Sequence, residues 1–349
     1  MRTFKLRGVR LGEGTPKICV PLTGRSITEL EEEINLLKGT GADLAEWRAD
    51  FFVAAMLGDA QGAAGAVPGP ERDASKAVPT GEAGAAGFGH GHGAAPTWPG
   101  RMTEGCICAV LETLAHIRSL LGDIPVLFTL RTKAEGGEVD LGGEYGNAGP
   151  GAAPAHEPAH EPVHENEAGG NSGCEAVRRA IPDSGGLKVG GDSRAGGDYA
   201  AVLLAVVRSG LADAVDVELG AGEDTVRALV GEAHGRILVV ASSHDFARTP
   251  DGAELLSRLV KMVELGADIP KIAAMPADFG DVLTLMSAAD TFYKKENRPL
   301  IAMSMGDIGK ISRVAGGMFG SCLTFGTAKN ASAPGQMAVG ALREAMRFF

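Results

Sequence analysis

Lys271 and His244 are the residues whose types and placement suggest covalent chemistry in this chain. His244 ends the apolar run RILVVASSH (236–244), and Lys271 opens the apolar run KIAAMP (271–276). A segment with helical periodicity, 251–265, separates them. If the two runs are parallel neighbours in a sheet, amine and imidazole face one pocket. Desolvating a lysine in an apolar strand favours its neutral amine, which attacks carbonyl carbon. A histidine beside it can then move protons at the adjacent carbon. Taken singly, a strand-end lysine reaches solvent and a loop histidine satisfies its own hydrogen bonds. The inference of chemistry rests on the pair.

Other charged residues cluster at the ends of apolar runs. Glu46 and Arg48 sit two apart in DLAEWRADF (43–51), Arg131 ends IPVLFTLR (124–131) with Glu135 close behind, and Glu218 lies in AVDVEL (214–219). Charges inside an apolar strand are costly unless they point inward and pair. Arg313 completes a set of arginines whose planar forks can grip a carboxylate. Together they suit a small anionic substrate that carries a carbonyl. Glu135 or Glu46 can set the tautomer of His244 by accepting from its ring. The loop KNASAPGQM (329–337) offers Ser332 and Gln336 as lid residues that exclude water, or is a plain connection. Any one arginine or glutamate is equally compatible with a structural ion pair.

These residues need a scaffold, and the pattern supplies one. KICVPL (17–22), 43–51, 124–131, 214–219, 236–243, 271–276, LIAMSM (300–305) and CLTFGT (322–327) read as strands. Helical periods follow each: 26–38, 104–121, 199–209, 223–234, 251–265, 278–289, 309–316 and 336–347, with Ser26 and Glu29 placed as a helix-start signal. Continuous apolar strands alternating with amphipathic helices predict an α/β fold with a parallel sheet. Eight such units predict a single (β/α)8 TIM barrel across residues 1–349, its site at the strand ends. An open doubly wound sheet is the alternative, but no GxGxxG follows the first strand. Lys271, at the start of its strand, departs from the strand-end rule. The opening TFKLRGVRLG suggests an N-terminal β-hairpin that plugs one end of the barrel.

Two blocks interrupt the pattern, 58–100 and 142–197, both rich in Gly, Ala and Pro and poor in large apolar residues. Such segments cannot bury enough surface to offset ordering entropy, so both are expected to be disordered insertions. His156, His160 and His164 recur every four residues in the second, but intervening prolines oppose a helix there.

The net charge of −11 argues against nucleic acid and against an anionic membrane surface. No apolar run reaches about 18 residues, so no membrane span is expected. The N-terminus carries no continuous apolar stretch, so no signal peptide is expected. Five scattered cysteines favour reduced thiols in a cytoplasm. Cys106 and Cys108 lack a second pair with metal-ligand spacing.

The stretches GEGTPKICVPL, LAEWRADFF, LFTLRTKAEGGE, DVEL, SSHDFARTP, SRLVKMVELGADIPKIAAMP, RPLIAMSMG, ISRVAGGMFGSCLTFG and ASAPGQ, in this order, resemble type I 3-dehydroquinate dehydratase. The resemblance runs from end to end outside the two blocks. It implies a Schiff-base lyase of the shikimate pathway that dehydrates 3-dehydroquinate to 3-dehydroshikimate. Lys271 would form the imine, His244 would be the proton donor and acceptor, and Glu135 would orient His244. Arg313 would bind the substrate carboxylate. Glu46, Arg48 and Arg131 would contact substrate hydroxyls or order the site, and Ser332 and Gln336 would close over it. It further implies a cytoplasmic homodimer with no metal and no organic cofactor. Ser243 stands where the family often has Asn, and neither block has a counterpart in compact members. A Schiff-base aldolase on a similar barrel would share Lys271 without needing His244 or three pocket arginines. A non-catalytic barrel scaffold would need none of them.

Overall fold

The computed structural model describes residues 2–64, 104–139, 194–329 and 331–349. Strands β1 (Phe4–Leu6) and β2 (Val9–Leu11) form an antiparallel hairpin. Eight further strands follow in chain order: β3 (Lys17–Leu22), β4 (Leu44–Arg48), β5 (Val126–Thr129), β6 (Ala214–Glu218), β7 (Leu238–Asp245), β8 (Ile269–Ala274), β9 (Ile301–Ser304) and β10 (Leu323–Thr327). They pair in parallel, each with the next from β3 to β9, and β10 returns to pair with β3. A bridge between Leu300 and Ser321 joins the β9 and β10 ends of this curled sheet. A short β11 (Met337–Ala338) pairs with the upper part of β10.

The helices are α1 (Ile27–Thr40), α2 (Ala49–Ala64), α3 (Glu104–Leu121), α4 (Arg194–Ser209), α5 (Glu223–Ala233), α6 (Gly252–Glu264), α7 (Phe279–Glu296), α8 (Lys310–Val314) and α9 (Val339–Met346). Ser26 caps α1 by accepting from the Glu29 N–H, as its spacing predicts. Asp251 and Asp278 cap α6 and α7 in the same way. α2 runs past Gly58 to Ala64, and α4 begins at Arg194, so the edges of the two expected insertions are helical. The rest of 58–100 and 142–197, including His156, His160 and His164, lies outside the described residues.

Side chains alternate across each strand and build two cores. Outward residues such as Trp47, Phe128, Val215, Val239 and Ile272 pack under the helices. Inward residues at the strand starts, among them Leu44, Leu127, Ala214, Leu238, Ile269 and Leu323, form a separate interior cluster. Leu6 and Leu11 of the hairpin join that interior cluster, so the hairpin seals the end where the strands begin. Arg7 in its turn donates to Asp213 Oδ1 at 2.8 Å. The lower end is filled by apolar side chains, and polar inward residues toward the opposite rim form the site.

Two elements differ from expectation. β4 ends at Arg48 and α2 starts at Ala49, so Asp50 lies in a helical first turn rather than in a strand. β8 begins at Ile269, so Lys271 is its third residue and not its first. Pro270 hides that start, although a proline next to the beginning of a strand forfeits little ladder bonding. Among the described residues no helix is long and apolar enough to cross a membrane. Cys19 and Cys322 are buried free thiols.

Candidate active site

One cavity opens at the rim, and all nine residues expected at the site line it: Glu46, Arg48, Arg131, Glu135, His244, Lys271, Arg313, Ser332 and Gln336. Alternation is what collects them. Glu46 and Arg48 share the inward face of β4, His244 that of β7 and Lys271 that of β8, where Lys271 stands opposite Ser242. The apolar part of the lining comes from Ala273, Met303, Met305, Phe325 and Phe246.

Lys271 is buried, with 3% of its surface exposed. Its Nζ donates to Asp216 Oδ2 at 2.9 Å and lies 3.7 Å from Glu46 Oε1 and 4.8 Å from the Phe325 ring centroid. The amine is therefore dry, as expected, but it is not alone: a fully buried carboxylate faces it. Asp216 is absent from the expected set, although AVDVEL places Asp216 and Glu218 two apart in an apolar strand, as AEWR places Glu46 and Arg48. Burial opposes ionisation of Asp216, yet Arg131 and Lys271, with hydrogen bonds from Ser242 and Lys271, hold its carboxyl below the usual range.

Arg131 organises the wall opposite. Its Nη1 donates to Ser242 Oγ (2.9 Å), Glu218 Oε1 (3.2 Å) and Glu135 Oε2 (3.3 Å), and its Nη2 to Asp216 Oδ1 (2.9 Å). Burial works against this cation, but Asp216, Glu218 and Glu135 raise its pKa further above the ordinary value. With its fork committed to protein acceptors, Arg131 orders the site. Arg48 is likewise clasped by Asp50 through two bonds of 2.8 Å, and Asp50 also accepts from the Glu138 N–H at 3.2 Å. Asp50 thereby ties β4 to the loop that carries Glu135.

That loop explains the AEGGE motif. Thr132 donates its N–H and its hydroxyl to the two oxygens of Glu218, at 2.8 and 2.6 Å. The chain then turns so tightly that a Cβ on Gly137 would sit 2.0 Å from the Arg131 carbonyl oxygen. The turn delivers Glu135 Oε2 to within 2.9 Å of His244 Nδ1. Burial, followed by Arg131, Lys271 and Arg48, lowers the His244 pKa well below its ordinary value, so the ring is neutral near pH 7. Burial and then Glu218 push the Glu135 carboxyl well above the usual range, against the pull of Arg131.

Arg313 differs from the other arginines. It is 1% exposed, and among the described residues no carboxylate pairs with it. Nη2 donates to the Pro334 carbonyl at 3.0 Å, Nη1 lies 3.5 Å from Met303 Sδ, and Nε has no partner. Burial alone lowers its pKa to about 10, so it still carries its charge at neutral pH. A buried cation without a counter-ion is expensive, and an anionic ligand would relieve that cost. The loop above it is built around the same contact. Gln336 and Ser332 bond each other twice, at 2.9 and 3.0 Å. Gly335, at φ +78°, packs so close that a Cβ would lie 2.3 Å from the Gly306 carbonyl oxygen.

The type I 3-dehydroquinase family matches residues 18–69 and 187–349. A 3-dehydroquinate dehydratase of Bacillus licheniformis is 36% identical over 345 residues, covering 98% of this chain and 96% of that protein. The chain belongs to the type I 3-dehydroquinase family. Its likeness to other members is similar: the 3-dehydroquinate dehydratase of Clostridium novyi is 35% identical over 346 residues, covering 99% of this chain and 96% of that protein. A solved type I 3-dehydroquinate dehydratase of Clostridium difficile, with covalently modified comenic acid, superposes with a TM-score of 0.64 at 30% identity, covering 99% of this chain and 97% of that one. The 3-dehydroquinate dehydratase of Geobacillus kaustophilus gives 0.65 at 26% identity, covering 99% and 96%. Family membership and the curled parallel sheet agree with the resemblance read from the motifs.

Proposed function

We propose that this chain is a hydro-lyase that converts 3-dehydroquinate to 3-dehydroshikimate through an imine on Lys271, on a closed (β/α)8 barrel. The observation that carries it is one cavity lined by a buried lysine, a neutral histidine and a guanidinium with no counter-ion among the described residues. Arg313 takes the substrate carboxylate and so orients the ketone toward Nζ. The amine adds to the ketone carbon and water leaves, giving a protonated imine. His244 removes a proton from the neighbouring carbon through Nε2, because Glu135 holds the Nδ1–H. The enamine then expels the hydroxyl as water with the proton that His244 returns, and hydrolysis frees the product. Glu46 and Arg48 face substrate hydroxyls, and Ser332 and Gln336 close the cavity from the loop. The aldolase alternative leaves Arg313 and the Glu135–His244 bond without a purpose, and the scaffold alternative leaves the whole buried charge set so. The resemblance also implies a homodimer working in the cytoplasm.

Borohydride added with 3-dehydroquinate tests the proposal. The peptide bearing Lys271 should gain the mass of the reduced adduct, while enzyme without borohydride should generate the absorbance of the conjugated enone. Folded protein that gives neither signal rules the function out.

Glu135 should set the acid limb of the rate profile. Burial moves the protonation of His244 to lower pH than for an ordinary imidazole. Glu135 supports the Nδ1–H tautomer only as a carboxylate, and its raised value means that support is lost at higher pH than for an ordinary glutamate. Glu135→Gln should lower kcat by about 10- to 100-fold and abolish that limb. An acid limb that stays in place in the variant removes Glu135 from this role.

A further inference from the structure

Asp216 has no part in the steps above, yet its Oδ2 is the nearest carboxylate oxygen to the reacting nitrogen. Three observations show that this oxygen is held for Nζ. Oδ1 is taken by Arg131 Nη2 at 2.9 Å and by the Ser242 hydroxyl at 2.6 Å, so the carboxylate cannot rotate. The residue is 1% exposed, so no water competes for Oδ2. Glu46, the other candidate, is 3.7 Å from Nζ and accepts from Thr129 Oγ1 at 2.9 Å through the same Oε1.

We infer that Asp216 is a catalytic residue, the fixed counter-charge that keeps the imine nitrogen of Lys271 protonated during turnover. The inference rests on the imine proposal and extends it. Charge balance shows why one fixed anion suffices. A lysine ammonium and a ketone give an iminium and water, so the same single positive charge stands on Nζ before and after condensation. Only the neutral amine attacks, so one proton passes from Nζ to His244 before addition and is returned to expel water from the carbinolamine, while Oδ2 accepts from the N–H that remains on nitrogen throughout. A neutral imine is a poor electron sink, and in a dry site nothing else would keep the proton on nitrogen. When His244 takes the carbon-bound proton the nitrogen becomes a neutral enamine. Loss of water then restores the iminium, and Asp216 favours that step. Arg131, Glu218, Glu46, His244, Glu135 and Cys19 are the other titratable or charged groups facing this pair. Arg131 stays charged, and burial raises the Cys19 thiol well above its ordinary value, so neither titrates near neutral pH.

The test compares Asp216→Asn with Ser242→Ala. In Asp216→Asn, borohydride with 3-dehydroquinate should still label Lys271. kcat should fall by about 10²- to 10³-fold and show an alkaline limb where the wild-type profile is flat. Ser242→Ala removes a hydrogen bond to Asp216 but leaves its charge, so it should lose less than about 10-fold and gain no such limb. Asp216→Asn with a wild-type alkaline profile, or Ser242→Ala with the same new limb, overturns the inference. Failure to label Lys271 in the wild type would instead sink the imine proposal beneath it. A readout free of variants covers the case in which Asp216→Asn does not fold. With ¹⁵N at Nζ and 3-dehydroshikimate added to wild-type enzyme, the nitrogen resonance should be that of a protonated imine from about pH 6 to about pH 9. A resonance that moves to the neutral-imine position within that range refutes the role of Asp216.

Discussion

Lys271→Met eliminates turnover, with a fall in kcat on the order of 10⁴ or more, because among the described residues no other amine lines the cavity to form the imine. Methionine is the substitution of choice because it fills much of the slot beside Phe325 without a charge. Its cost is electrostatic. Asp216 loses one of its three donors but keeps Arg131 and Ser242, while Glu46 keeps Thr129. Breaking a buried pair on one side therefore lowers stability by about 3 kcal/mol, read from a urea unfolding curve, and leaves a folded protein. Arg313 is untouched, so 3-dehydroquinate should still bind, within about 10-fold of the wild-type affinity. Binding without turnover, and with no borohydride adduct, separates loss of the nucleophile from loss of the pocket. A folded Lys271→Met variant that turns over within about 10-fold of wild type would falsify the imine chemistry altogether.

The comparison between Lys271 and Asp216 shows what can be read from the chain and what cannot. The strand that carries Lys271 was visible as an apolar run, and its position between two helical periods placed it in a parallel sheet. Its start was not visible, because Pro270 marks a break by local rules and the register with β7 overrides it. Asp216 obeyed the same two-residue alternation as Glu46 and Arg48, but alternation says only that a charge points inward. It does not say which charges meet across strands distant in sequence, and the Asp216–Lys271 contact spans 55 residues. The same limit hid Asp50. Its neighbour Arg48 read as a substrate contact, and only the helical first turn of α2 brings the Asp50 carboxylate back onto that guanidinium. Met303, Met305 and Phe325 were hidden for another reason. In a strand that is apolar on both faces, composition carries no period, so inward and outward residues look alike. What was legible was therefore the set of residues that line the cavity and the parallel α/β sheet that carries them. What was not legible was their pairing, which depends on register and on carboxylates reaching across the interior.

Arg313→Met separates function from stability in opposite directions. The wild-type guanidinium sits in the interior with one carbonyl partner, an unpartnered Nε and no carboxylate among the described residues. Removing it takes away an uncompensated buried charge and puts in its place an apolar side chain beside Met303. The variant should be more stable by about 1–2 kcal/mol, with Tm higher by about 2–4 °C for each kcal/mol. A gain of that size at a site residue is the usual mark of a group retained for function at the expense of stability. Catalysis should move the other way. A charge pair with a ligand carboxylate in a dry pocket contributes about 2–5 kcal/mol, so kcat/KM should fall by about 30-fold at the least. Misplacement of the ketone relative to Nζ should lower kcat as well as raise KM. The two effects are joined by ligand binding. 3-Dehydroshikimate at a concentration about 100 times its Kd should stabilise the wild type by about 2.7 kcal/mol and the variant by far less. If the variant is instead less stable than wild type and keeps its KM, then Arg313 is held for the Pro334 loop contact, and the substrate carboxylate must be received elsewhere.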